Sequence, residues 1–219
     1  MAHYDLILKN AVVTTFSEKS NRIESESVNI GVQKGIIATL NVTALDTADQ
    51  IVDLKHLDIL PGIIDSQVHF REPGMTHKED IESGTRAALM GGITSIFEMP
   101  NTNPSTSTAE QFQEKLNLSK NRAHCHYAFF IGGGSDNFDK VDQLEKLDHC
   151  SGIKVFLGSS FGNLLVDDDT VFKKILQNGR RRVIIHSEDE ARMKERKHIA
   201  VEAGHPRAHH IWRDEESAL

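Results

Sequence analysis

Two hydrophobic rhythms divide the chain. Over residues 1–57 the apolar positions come in short runs that partly alternate with polar ones: YDLILKNAVVTTF, ESVNIGVQKGIIATL and QIVDLKHLDIL. Period-two alternation in runs rich in Val, Ile and Leu marks half-buried strands. The QKG between two runs reads as a hairpin turn in which Gly35 takes a positive φ. Residues 1–57 are therefore expected to form a small β subdomain of three to five strands, an incomplete sandwich.

From Pro61-Gly62 the rhythm changes. Short apolar strands now alternate with amphipathic helices: IIDSQVHF with KEDIESGTRAALMGG, ITSIFEMP with TAEQFQEKLNLSKN, and HCHYAFFIG with a helix around FDKVDQLEKL. GIKVFLG then precedes DDTVFKKILQN, RRVIIHSE precedes EDEARMKERKHIAVEAG, and RDEESAL reads as a last helical start. Five βα units in succession predict an α/β domain over residues 58–219 with a parallel sheet, doubly wound or curled toward a barrel.

In such a domain the chemistry sits where strands end. The polar residues at those ends are Gln67, His69 and Arg71, then Glu98 and Asn101, then Lys154, then His186 and Glu188. Gln67 and His69 are two apart on a strand and share a face. A strand histidine is more often a satisfied core residue, but His186 ends another strand of the same sheet. Lys154 lies inside an apolar strand, where an unpaired ammonium costs several kcal/mol. Two solutions are open for it: a salt bridge to Glu98 or another barrel carboxylate, or conversion to a carbamate that would bridge metal ions. Arg71 offers a rigid fork of donors suited to a carboxylate, and Asn101, in MPNTNP, offers a further donor to the same anion or a loop cap. Gly132 to Gly134 read as a flexible turn, Arg180 to Arg182 as a solvated turn, and His205, His209 and His210 as surface loop residues.

Composition narrows the class. The net charge of −7 argues against nucleic acid or an anionic membrane as a partner. No apolar run approaches the ~20 residues needed to cross a bilayer. The N-terminus lacks a signal-peptide core, and Cys125 and Cys150 form no CxxC pair. A cytoplasmic protein acting on a small molecule is expected. Twelve histidines raise the prior for metal chemistry.

In this order PGIIDSQVHFREPG, FEMPNTNP, GIKVFLGSSFGNLLV and VIIHSEDE resemble the dihydroorotases of the amidohydrolase superfamily, and most of all a bacterial branch that spells the first motif QVHFREPG. The resemblance implies a (β/α)₈ barrel behind a small β-sandwich, zinc at the strand ends, and reversible closure of N-carbamoyl-L-aspartate to dihydroorotate. It implies that His69 and His186 are metal ligands, that Lys154 is the carbamylated bridging lysine, and that Arg71 and Asn101 hold the substrate carboxylate. Gln67 stands where most relatives have a first ligand, so one metal is expected to be weakened or missing. Only five of eight barrel strands are legible, and a further histidine ligand and the general-base aspartate of the eighth strand are not among these residues. The expectation is a partial barrel with no catalytic base of its own and little or no activity as a chain alone. A non-catalytic binding or assembly subunit and another cyclic amidohydrolase, of allantoinase or hydantoinase type, are the rival readings. Two open sheet edges predict a homo-oligomer, most simply a dimer.

Overall fold

A computed structural model describes residues 1–160 and 162–218 of the chain. Phe161, within the GIKVFLGSSFGNLLV motif, and Leu219, at the end of RDEESAL, lie outside the described residues. The chain divides into two units, Met1–Pro61 and Gly62–Leu219.

The first unit is one mixed sheet. Strands β1 (His3–Ser17), β2 (Arg22–Gln33), β3 (Ile36–Thr39) and β4 (Thr47–Asp53) pair in the order β3-β2-β1-β4, and the short β5 (Asp58–Ile59) also pairs with β1. The register of β1 on β2 shifts between Leu8 and Ala11, where Asn10 adopts a φ of 54°. Ile7, Ala11 and Ile30 are its buried centre. The β2–β3 hairpin turns at Lys34 and Gly35, both at positive φ, which is the geometry that matches the twist of the flanking strands.

The second unit alternates strand and helix: β6 (Ile63–Val68), α1 (Ile81–Met90), β7 (Ile93–Glu98), α2 (Ala109–Ser119), β8 (His126–Gly132), α3 (Val141–Leu144), β9 (Cys150–Phe156), α4 (Asp169–Asn178), β10 (Val183–His186), α5 (Glu190–Ala203) and α6 (His209–Trp212). The strands are parallel in the order β10-β9-β8-β7-β6, and the sheet curls as a half barrel. Side-chain oxygens cap the longer helices. Asp80 accepts from the Ser83 amide, Thr108 from Gln111, Asp168 from Thr170 and Asp189 from Arg192. Gly204, at a φ of 62°, ends α5.

Two elements depart from the pattern. The helix expected around FDKVDQLEKL is present but spans only Val141–Leu144, and Lys140 at its N-cap makes no side-chain cap hydrogen bond. RDEESAL forms a 3₁₀ turn over Glu215–Ala218, and the preceding histidine-rich segment contributes α6.

Alternation along the strands sorts the residues of the sheet. Phe129, Ile153 and Val155 pack with Phe112 of α2 and Ile175 of α4, while Val68 and Ile96 pack with Ile81 of α1. Their neighbours therefore face the concave side: Gln67 in β6 and His69 just past it, Phe97, Phe130, and Lys154 with Phe156. Phe97 and Phe130 meet edge to face at 6.3 Å, and Phe156 and His186 lie 6.0 Å apart.

The segment Gly132–Gly134 is not a flexible turn. A Cβ on Gly132 would lie 2.3 Å from the Leu164 side chain, and one on Gly133 would lie 2.8 Å from Ile153. Asn137, itself buried, accepts from the Gly134 amide and donates to the Gly132 and Ser107 carbonyls. Close packing, rather than freedom, selects these glycines. Gly152 is bound more tightly still: its φ is 141°, and a Cβ there would lie 2.3 Å from the Arg182 carbonyl of the next strand. Gly152→Ala should cost about 2–4 kcal/mol by combining strain with displacement of β10. Urea unfolding would show it as a lowered midpoint at unchanged slope, and an unaltered midpoint would mean that the two strands do not approach as described.

Candidate functional site

The first strand end carries the most organised group. His69 is half-buried, and its Nδ1 donates to Oδ1 of Asn101 at 2.8 Å. Burial is the largest cause lowering the His69 pKa below the ordinary imidazole value, and the charges of Arg71, Lys154 and Lys115 act in the same direction. The His69 Nε2 is not engaged by Asn101.

Arg71 lies two residues on, at a φ of 64° in a tight turn closed by the Met75 amide on the Arg71 carbonyl. Gly74 is required there, at a φ of 86° with a would-be Cβ 1.9 Å from the Asn103 carbonyl. The guanidinium of Arg71 has no ion pair or hydrogen bond among the described residues. The adjacent carboxylate is taken by others: Glu72 accepts from the first amide of α1, at Ile81, and from both terminal nitrogens of Arg122 at 2.8 and 3.3 Å. Asn101, expected to offer a donor to the same anion as Arg71, has its oxygen on His69, and its Nδ2 has no partner among the described residues.

Lys154 is 1% exposed and its Nζ lies 4.8 Å from the centroid of the Phe156 ring. Burial alone pushes its pKa down. The expected alternative of a salt bridge to Glu98 is corrected by the structure. Glu98 occupies the helix-facing position of β7, two residues from Ile96, and its carboxylate contacts the ammonium of Lys115 on α2. Both side chains are fully buried. Alternation decides the matter, since Glu98 and Lys154 stand on opposite faces of the sheet. Desolvation raises the Glu98 pKa to about 7 and, as the largest cause, lowers that of Lys115.

His186 ends β10 with its Nε2 against Oε2 of Glu188, and the same oxygen accepts from Arg213 at 2.6 Å. The structure thus gathers His69, Asn101 and Arg71 at one end of the sheet and places Lys154 within range of their charge. It keeps His186 on the opposite outer strand, four strand spacings or ~19 Å away along the sheet before curvature. Gln67 is exposed on the same face as His69. Among the described residues no three His, Cys, Asp or Glu side chains gather as a metal site. The donors here that suit a divalent cation are the Nε2 of His69 and the amine of Lys154 once carbamylated, while His186 has its Nε2 against Glu188. An uncompensated buried amine is the observation that favours them.

The remaining candidates stay outside this group. Arg180, Arg181 and Arg182 are exposed, with the Arg180 and Arg181 amides bound to the buried Glu145. His205, His209 and His210 are exposed, and Cys125 and Cys150 are free thiols. No helix of the described residues is long and apolar enough to cross a membrane.

Sequence reasoning missed Lys115. It falls at the third position after Phe112 on the buried stripe of α2, and a charge on an apolar stripe is a signal for a buried pair. Removing one partner strands the other. Lys115→Met should cost about 3–5 kcal/mol near neutral pH, whereas Lys115→Met with Glu98→Leu should be close to neutral or stabilising. The sign with pH follows from Glu98: its native pKa lies above its unfolded value, so its contribution to stability declines as pH rises from about 4.5 to about 7. Without Lys115 the native pKa rises further, and acidification from pH 8 to 5 should recover part of the loss in Lys115→Met. Denaturant titrations at several pH values would check this, and a pH-independent loss would contradict the assignment.

Residues 59–204 match the model of the amidohydrolase family. A dihydroorotase of Methanosphaera stadtmanae is 40% identical over 131 residues, which are 58% of this chain and 28% of that protein. An allantoinase of Deinococcus radiodurans is 35% identical over 159 residues, 71% of this chain and 34% of that one. The L-hydantoinase (dihydropyrimidinase) of Arthrobacter aurescens has the same fold, with a TM-score of 0.85 at 23% identity over 98% of this chain and 48% of that chain. The chain thus spans half or less of the length of these proteins. The half barrel, the strand-end residues and the matched segment lead to one conclusion: this chain belongs to the amidohydrolase family.

Proposed function

We propose that the chain is the strand-end region of a dihydroorotase-type cyclic amidohydrolase, which binds N-carbamoyl-L-aspartate and its ring-closed form, dihydroorotate. The observation that carries this reading is the guanidinium of Arg71, which has no partner among the described residues and stands two residues from the half-buried His69. A planar fork held on a turn, with its neighbouring carboxylate already neutralised by Arg122, suits a substrate with a free carboxylate. Dihydroorotate has one, whereas the allantoin and hydantoin rings do not. Zinc is the proposed metal, as a single ion weakened by Gln67, with His69 and a carbamylated Lys154 as its holders and His186 as a further ligand only if it left Glu188. Such an ion supplies Lewis acidity that activates water and polarises the ring carbonyl.

A second reading is favoured by the carboxylates. Among the described residues Glu98 is turned to Lys115, and Glu188 is engaged by His186 and Arg213. Neither is placed to take a proton from water on the concave face. We therefore expect binding to exceed turnover, as in a binding or assembly subunit. The reading extends to a cytoplasmic location, supported by the free thiols, and to a homodimer that covers the outer strands β6 and β10. Light scattering should then return twice the 24.5 kDa of the chain, and a monomer at micromolar concentration would overturn the dimer.

Calorimetric titration of zinc-supplemented protein with N-carbamoyl-L-aspartate tests the substrate assignment. Arg71→Lys should weaken binding by about 10- to 100-fold, because an ammonium cannot reproduce the fork. In parallel assays, ring opening should be confined to dihydroorotate. Turnover of allantoin or hydantoin that is indifferent to Arg71→Lys would assign one of those reactions instead.

A further inference from the structure

We propose that Arg122 is the positioning residue of Arg71: by holding Glu72, it keeps the carboxylate next to Arg71 in the chain away from that guanidinium, which stays open to the carboxylate of a ligand. The inference rests on the reading of Arg71 given above and names what leaves its fork unpaired. It involves no metal.

Five charges act on one another where β6 and β7 end. Glu98 feels Lys115 and Arg71, Lys115 feels Glu98 and Glu72, and Arg122 feels Glu72. Three of the five are cations and two are carboxylates, so pairing leaves one cation over. The element that supplies the partners decides which one. Lys115 of α2 contacts Glu98. Arg122, just past α2 with its amide on the Ser119 carbonyl, reaches both oxygens of Glu72 at 2.8 and 3.3 Å. Each carboxylate thus takes a cation from the α2 side, and Arg71 is the one left without a partner among the described residues.

Glu72 is 7% exposed, and a carboxylate that far from water needs a cation beside it. Were Arg122 removed, Lys115 would still be committed to Glu98, which makes Arg71 the next cation in reach. A carboxylate tethered one residue away competes at an effective concentration that a free ligand has to exceed. Arg122 prevents this with a planar fork matched to the carboxylate edge, one nitrogen on each oxygen. The Leu118 carbonyl accepts from the same guanidinium at 3.0 Å and fixes its direction. Asp80 and Glu82, at the start of α1, add negative charge that favours the Arg122 cation. The Ile81 amide takes the remaining capacity of Glu72 at 2.9 Å.

The test compares two rings that differ only in the carboxylate, dihydroorotate and 5,6-dihydrouracil, by calorimetric titration of the full chain with no metal added. The wild-type protein should prefer dihydroorotate. Arg122→Gln releases Glu72 and should reduce that preference by about 10- to 100-fold, the range for loss of a charge-assisted contact. Adding Glu72→Gln removes the competing charge, keeps an acceptor for the Ile81 amide, and should restore the preference. A merely structural role for Arg122 would not be rescued in this way. An unchanged preference in folded Arg122→Gln overturns the proposal, as does a loss that the double variant does not recover. If Arg122→Gln does not fold, Glu72→Gln alone decides: it should keep the preference, and a preference lost there overturns the proposal. Equal affinity of the wild-type protein for the two rings overturns the reading of Arg71 itself, and this inference falls with it. A wild-type preference indifferent to Arg122→Gln overturns the inference alone.

Discussion

Everything in the second unit depends on the two-residue repeat of a parallel strand. Once one set of side chains is buried against helices, the alternate set has no choice but the concave face. That commitment puts Val68, Ile96, Phe129, Ile153 and Val155 into the helix-facing layer and leaves His69, Lys154 and His186 to the other face. It also explains why two residues of opposite charge in the same sheet, Glu98 on β7 and Lys154 on β9, do not meet. Glu98 shares its phase with Ile96 and must find its cation among the helices, where Lys115 supplies it. Lys154 shares its phase with Phe156 and is left with an aromatic face.

The consequence for Lys154 is an electrostatic tension of a kind that side-chain chemistry can relieve. An amine with a lowered pKa is a better nucleophile at neutral pH, and burial is the cause of that lowering here. Carbamylation would replace the misplaced cation with an anion suited to a metal. The carboxylates in the neighbourhood are turned elsewhere, Glu98 to Lys115 and Glu188 to His186 and Arg213.

Much of this was legible in the sequence because periodicity reports burial. The strand ends, the order of βα units and the hairpin at Gly35 followed from alternation and turn chemistry. The residues His69, Arg71, Asn101, Lys154 and His186 stood out as polar groups where apolar strands stop. What could not be read was pairing across elements. Asn101 and His69 are joined by a register between β6 and β7 that no local pattern encodes, and the partner of Glu98 lies on a helix 17 residues on. The glycines after β8 were misread for the same reason: their need comes from Leu164 and Ile153, which are distant in the chain.

The Glu72–Arg122 contact has a mechanical side. Glu72 is covalently next to Arg71, accepts the first amide of α1, and is gripped by a residue just past the end of α2. Arg122 itself is partly open to solvent on the outer layer. One carboxylate therefore works as a tie rod between two helices and the turn that carries Arg71. A lesion at Arg122, on the outer layer, would loosen that tie and move the Arg71 turn, and a survey confined to the concave face would look for its cause in the wrong place.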